Sequence, residues 1–173
     1  HHRTITLRQV FVIGTPQDEH VQLVQEESKN FGDILITTCA DSHLELACKT
    51  STFIQGVGAM SGAYDLIAKT DIDTLLNPYE LEKFVHKISG CPMSYIGIKK
   101  FHDRVQHHGS KYPEFKYPAA VWANYMAGGL YFLTADLAFE LSQIRWEMRF
   151  TSEDVTTGFM VSQIPKPIQL INT

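Results

Sequence analysis

Tyr64-Asp65-Leu66-Ile67-Ala68-Lys69-Thr70-Asp71-Ile72-Asp73-Thr74-Leu75-Leu76-Asn77 runs from an apolar core segment straight into two carboxylates one residue apart. Leu66 to Ala68 reads as a short buried strand. A strand that stops at an Asp-x-Asp turn is suited to hold a divalent metal against a diphosphate, because hard oxygen ligands bind Mg²⁺ or Mn²⁺ and those ions bridge to phosphate oxygens. The same spacing also arises in a solvated turn with two surface acids, so the surrounding chain has to decide between them.

Outward from this turn, strands and helices alternate. Val10-Phe11-Val12-Ile13, closed by Gly14-Thr15-Pro16, reads as a buried strand. Asp18 to Phe31 follows with Val21, Val24, Ser28 and Phe31 at helical spacing, and Gly32 marks its stop. Ile34-Leu35-Ile36 is a second buried strand, and Ser42 to Phe53 a helix through Leu44, Ala47 and Ile54. Asn77-Pro78 starts a helix with a cap and a first-position proline, running Tyr79 to Ile88 with Leu81, Phe84, Val85 and Ile88 on the inner face. Tyr95 to Ile98 is a fourth strand. Residues 100 to 120 are polar and aperiodic and read as a long loop, the kind that is often functional. Ala127 to Leu133 re-enters the core, and Thr134 caps a helix from Ala135 to about Arg145. The pattern predicts an α/β fold with a parallel or mixed sheet flanked by helices, in which ligands sit at the carboxyl ends of strands. Asp71 and Asp73 stand at such an end.

The composition bounds the partners. The 173 residues are 44% hydrophobic and 20% charged, which fits one globular domain with a sizeable core. A net charge of −4 argues against a nucleic-acid partner held by phosphate contacts. No run of 18 apolar residues and no signal peptide is visible. Cys39, Cys48 and Cys91 are odd in number and form no Cys-x-x-Cys, so a structural zinc site is not expected, and one disulfide with one free thiol is open.

A second acidic element, Thr151-Ser152-Glu153-Asp154-Val155, precedes an apolar stretch and suggests a helix N-terminus. Acids there are ordinarily stabilised by the helix dipole; the functional alternative is a general base. Gly128-Gly129 permits close backbone approach or positive φ, and its alternative is a strand bulge. Trp122, Tyr125 and Tyr131 surround it and are either sugar-stacking or core residues. His102, His107 and His108 match no metal-ligand spacing.

The order of these elements resembles the β-1,3-glycosyltransferases, glycosyltransferase family 31. Arg8 to Gly14 is similar to the family's first core strand, and Phe31-Gly32-Asp33-Ile34 to its second. Asp41 to Thr50 resembles Asp-x-Tyr-x-Asn-Leu-Thr-x-Lys-Thr. Lys69-Thr70-Asp71-Ile72-Asp73 resembles Lys-x-Asp-Asp-Asp, and Tyr117-Pro118 with Asn124 to Leu133 its Tyr-Pro and Gly-x-Gly-Tyr-x-Leu segments. Glu153-Asp154-Val155 followed by Gly158 matches Glu-Asp-Val-x-x-Gly. The chain departs from the pattern at Ile72, His43, Glu45, Ala47 and Gly128-Gly129, and no His follows His108 to complete a metal site.

The resemblance implies a GT-A-like, Rossmann-like fold over residues 1–173, a single catalytic domain that either lacks segments at its two ends or belongs to a divergent member with an altered metal site. It implies inverting transfer of galactose or N-acetylglucosamine from a UDP-sugar donor to the 3-hydroxyl of a glycan or glycoprotein acceptor, with Mn²⁺ as cofactor. The matching positions are Asp73 and Asp71 for metal, Asp71, Lys49 and Asp33 for donor, and Asp154 as base with Glu153 as substitute. Trp122, Gly128, Gly129 and Tyr131 would face acceptor or sugar. A Golgi-lumen, type II membrane protein is implied, its tether outside this chain. The alternatives are a non-catalytic pseudo-glycosyltransferase that binds carbohydrate or nucleotide and, more remotely, a nucleotidyltransferase, for which a Gly-rich phosphate loop is missing.

Overall fold

The computed structural model describes residues 4–173 apart from 61, 107, 109–113, 115, 116, 118 and 148. The expectations for His107 and Pro118 lie outside the described residues. The strands are β1 (Phe11–Thr15), β2 (Ile34–Ala40), β3 (Leu66–Thr70), β4 (Ser94–Lys100), β5 (Tyr125–Thr134) and β6 (Gln169–Asn172). The α-helices are α1 (Val21–Phe31), α2 (Leu46–Gly58), α3 (Pro78–Ile88), α4 (Ala135–Gln143) and α5 (Glu153–Ser162).

The mixed α/β expectation holds, with one division that periodicity could not give. β1 and β2 pair in parallel as their own two-stranded sheet, and the other four strands form a second sheet in the order β3-β5-β4-β6. β5 runs antiparallel to both β3 and β4, while β6 is parallel to β4. β3 and β4 therefore point the same way with β5 between them. The carboxyl ends of β3 and β4 and the amino end of β5 share one edge, and the acidic turn lies on it.

The core is built on β5. Tyr131 and Leu133 are fully buried beside Tyr95, Met126, Leu137 and Leu141, and Trp146, Met160 and Val161 close the cluster. On the other face Ile96 and Phe132 pack on Ile88, Leu81 and Phe84 of α3, with Phe84 and Phe132 ring centroids 5.1 Å apart. The Asn77 cap forms as expected: its side chain accepts from the N–H groups of Tyr79, at 3.0 Å, and Glu80. Thr134 does not cap α4. Its hydroxyl donates instead to Asp136, which itself accepts the Leu137 N–H at 2.8 Å.

The burial expected of the strands at residues 10–13 and 34–36 is incomplete, and apolar residues of the helical segments beside them are exposed too. Phe31 of α1 is 73% exposed, Leu44 before α2 is 68% exposed, and Phe11, Leu35 and Ile36 of the β1–β2 sheet are each at least 36% exposed. These residues belong to the two-stranded sheet and the helical segments beside it, so apolar type and correct period did not bring them into the core of the larger sheet. Cys39 and Cys48 form a disulfide between β2 and α2, and Cys91 is free.

Candidate functional site

Lys69 is the last inward residue of β3 before the acidic turn. Its ammonium sits 2.6 Å from Asp71 Oδ1, 2.5 Å from Glu153 Oε1 and 2.6 Å from the Gly128 carbonyl oxygen. These partners come from the turn after β3, the first turn of α5 and the start of β5. Burial opposes the lysine's charge, yet the Glu153 and Asp71 carboxylates together hold its pKa above the usual lysine range. Burial pushes the Glu153 carboxyl up to about 7 against the pull of Lys69, and the adjacent Asp154 carboxylate adds to the rise. The site thus sets one cation, Lys69, among the acidic side chains Asp71, Glu153 and Asp154.

The turn itself is pinned to β5. The Asp71 N–H donates to the Gly129 carbonyl at 3.1 Å, and the Thr74 hydroxyl donates to the same oxygen at 3.0 Å. Asp71 is half exposed and Asp73 exposed. Two solvent-facing carboxylates on one turn are a suitable donor set for a hard divalent cation that takes its remaining ligands from phosphate and water. Among the described residues no group of three or more His, Cys, Asp and Glu converges, so a metal here would lean on these two acids.

Asp154 occupies the opposite wall. Its Oδ2 accepts the Gly128 N–H at 3.2 Å, and its Oδ1 accepts the Val155 N–H at 2.8 Å and the Ser152 hydroxyl. Glu153 is almost sealed, 6% exposed, with Oε2 receiving the Tyr131 hydroxyl at 3.2 Å. Asp154 is only half-buried.

Gly128 is required where Glu153 approaches: a Cβ there would lie 2.8 Å from Glu153 Oε1. Neither Gly128 nor Gly129 has positive φ, so close approach is the correct reading and left-handed backbone is not. A Cβ at Gly158 would meet the Tyr125 side chain and come within 2.7 Å of the Asn124 carbonyl oxygen, so α5 docks on β5 through this position. Gly158→Ala is therefore expected to cost about 1–3 kcal/mol by overpacking, read as a lower denaturant midpoint.

A cleft of about 370 Å³ opens beside the α5 N-terminus, lined among others by Asp103, Arg104, Trp122, Tyr125, Phe150 and Ser152. Residues 103–105 and 120–122 run side by side to make it. Arg104 bridges Val121, the Trp122 N–H donates to the Asp103 carbonyl at 2.9 Å, and the Tyr125 hydroxyl donates to Asp103 Oδ2 at 2.7 Å. Trp122 stacks on Tyr117 with centroids 4.5 Å apart, backed by Phe150.

Of the residues singled out in the sequence, Asp71, Asp73, Gly128, Gly129, Glu153 and Asp154 are brought to one edge. Trp122 lines the adjoining cleft. Tyr131 is fully buried and offers no surface to a sugar; its hydroxyl braces Glu153 and Thr157 instead. Asp33 directly precedes β2 and so sits at the amino end of the parallel pair, opposite the ends at which ligands ordinarily bind such sheets. Lys49 lies at the correct end but is largely buried and committed to Asp41 at 2.9 Å. Asp103 and Lys69 were missed. Lys69 carried a signal, a lysine two residues before a carboxylate at a strand end, whereas Asp103 lies in an aperiodic loop and carried none.

The sequence matches the galactosyltransferase family over residues 1–170. It is 26% identical over 89% of its length to the β-1,3-galactosyltransferase bre-2 of Caenorhabditis elegans, covering 45% of that protein. It is 28% identical over 78% of its length to a UDP-GlcNAc:βGal β-1,3-N-acetylglucosaminyltransferase of Rattus norvegicus, covering 36% of it. A UDP-GalNAc:β-1,3-N-acetylgalactosaminyltransferase of Xenopus tropicalis is 26% identical over 82% of the chain. The chain thus spans less than half the length of the relatives it matches. With the match running through every element that builds the edge described above, the chain belongs to the galactosyltransferase family of β-1,3-glycosyltransferases.

Proposed function

We propose that this chain is a catalytic domain of inverting β-1,3-glycosyl transfer, moving galactose or N-acetylglucosamine from a UDP-sugar to the 3-hydroxyl of an acceptor sugar. One observation carries the reading: an exposed acidic turn, a glycine that admits close approach and a carboxylate at a helix N-terminus meet at one sheet edge beside a cleft. In this scheme Asp154 takes the proton of the acceptor hydroxyl as it attacks the anomeric carbon from the face opposite the diphosphate. The bond to the UDP oxygen breaks as the new glycosidic bond forms, without a covalent enzyme intermediate. Trp122 and the cleft walls hold the acceptor ring. Asp73 and Asp71 would hold Mn²⁺, which when bound supplies positive charge for the departing diphosphate.

The reading carries a compartment with it, the Golgi lumen, with a membrane tether outside these residues. The Cys39–Cys48 disulfide fits an oxidising lumen. No helix among the described residues is long and apolar enough to cross a membrane.

A second reading, a relative that binds nucleotide sugar without transferring it, is favoured by the commitment of Asp71 to Lys69. Calorimetry with a panel of UDP-sugars, with and without Mn²⁺, alongside UDP release in the presence of acceptor sugars, separates the two. Mn²⁺-dependent binding with release is expected. Binding without release selects the second reading, and no Mn²⁺-dependent binding sinks the first.

A further inference from the structure

An ammonium group has three N–H donors, and Lys69 spends all three on different elements: the turn after β3, the carbonyl of Gly128 in β5, and Glu153 at the head of α5. It is 15% exposed, so this is no solvated surface pair. The second oxygen of Glu153 is fixed in turn by the Tyr131 hydroxyl, itself in contact with Thr157, so the lysine's anchor on α5 is rigid. Gly128 is gripped from both sides, its carbonyl by Lys69 and its N–H by Asp154. Removing the cation would leave two carboxylates facing each other across the edge with nothing between them.

We propose that Lys69 is a positioning residue, whose single buried ammonium fixes the Asp71–Asp73 turn relative to the Glu153–Asp154 end of α5. This rests on the reading above, in which the turn faces the donor and Asp154 the acceptor. Lys69 then sets the register between the two substrates without touching either. Misplacement of about 1 Å between reacting groups costs about 100-fold in rate.

The expected signature is a split. Lys69→Met lowers kcat about 100-fold, with UDP affinity and acceptor KM close to those of the parent; Lys69→Arg, which keeps the charge, recovers part of the loss. A lysine with only a structural role would reduce the folded fraction and leave kcat per folded molecule unchanged. Lys69→Met alone strands Glu153, so a second test removes both charges. Nitroxides are placed at Ile72→Cys and Gln163→Cys, both exposed sites, on a Cys91→Ser background. Their distance distribution is read by pulsed electron paramagnetic resonance with and without the pair Lys69→Met and Glu153→Gln. Broadening or displacement of the distribution in the double variant is expected. An unchanged distribution overturns the proposal, as does parental kcat in Lys69→Met. If the parent chain transfers no sugar from any donor, the functional reading fails, and the distance measurement still decides for or against Lys69.

Discussion

Asp154→Asn is expected to leave the chain folded and to lower kcat by about 10²–10⁴-fold, the range for loss of a positioned general base. The choice of Asp154 over Glu153 sets two criteria against each other. A pKa of about 7 makes Glu153 the better-tuned base at neutral pH. Yet Glu153 is 6% exposed, with one oxygen on Lys69 and the other on Tyr131, so no acceptor hydroxyl can reach it. Geometry precedes tuning, and Asp154 is the half-buried carboxylate next to the cleft-lining residues Ser152 and Val155. The substitution carries a modest structural cost. Both Asp154 oxygens accept backbone N–H groups, from Gly128 and Val155, and an Asn amide can accept at only one end. An unmade bond of that kind costs about 1–3 kcal/mol. Initial rates at saturating donor and acceptor, with a thermal unfolding curve, check both parts. An Asn variant retaining more than a tenth of the parental rate would rule Asp154 out as the base.

The sheet edge was legible because short-range chemistry wrote it. Asn77-Pro78 announces a helix start, Leu66 to Ala68 a strand, and Glu153-Asp154 a helix head, each from residue types whose backbone preferences are local. Burial was less legible. Ile34-Leu35-Ile36 has the composition of a central strand, but whether an apolar strand is covered depends on which elements pack on it, and β1–β2 forms a separate pair. Tyr131 shows the same limit within the site. Its type suits a sugar platform, and only the fact that β5 is an interior strand puts the ring into the core, 5.4 Å from Tyr95. The Lys69–Glu153 pair joins residues 84 apart in sequence, and no window of local pattern reaches that far.

Glu153 also predicts an unusual dependence of stability on pH. Its folded pKa, about 7, lies above the ordinary 4.5, so between these values the folded state binds more protons than the unfolded state. Stability must then fall as pH rises through that window and level off above it. This is opposite to the usual salt-bridged carboxylate, whose contribution is lost on acidification. The cause is burial, which disfavours a charge on Glu153 more than Lys69, shared with Asp71, favours it, and the neighbouring Asp154 adds to the rise. At about 1.4 kcal/mol for each pH unit, the rise corresponds to about 3 kcal/mol across the window. Other groups titrate over the same range, so the test is a difference. Denaturant unfolding of the metal-free chain is followed from pH 4.5 to 8 beside Glu153→Gln, which keeps the shape and an acceptor for Tyr131 but carries no proton to lose. The parent should lose about 3 kcal/mol relative to the variant between pH 4.5 and 7, and nothing further above it. A difference that stays flat, or that grows on acidification, would mean that Lys69 fully neutralises Glu153, and the carboxylate would then have to be treated as charged at every pH at which the chain works.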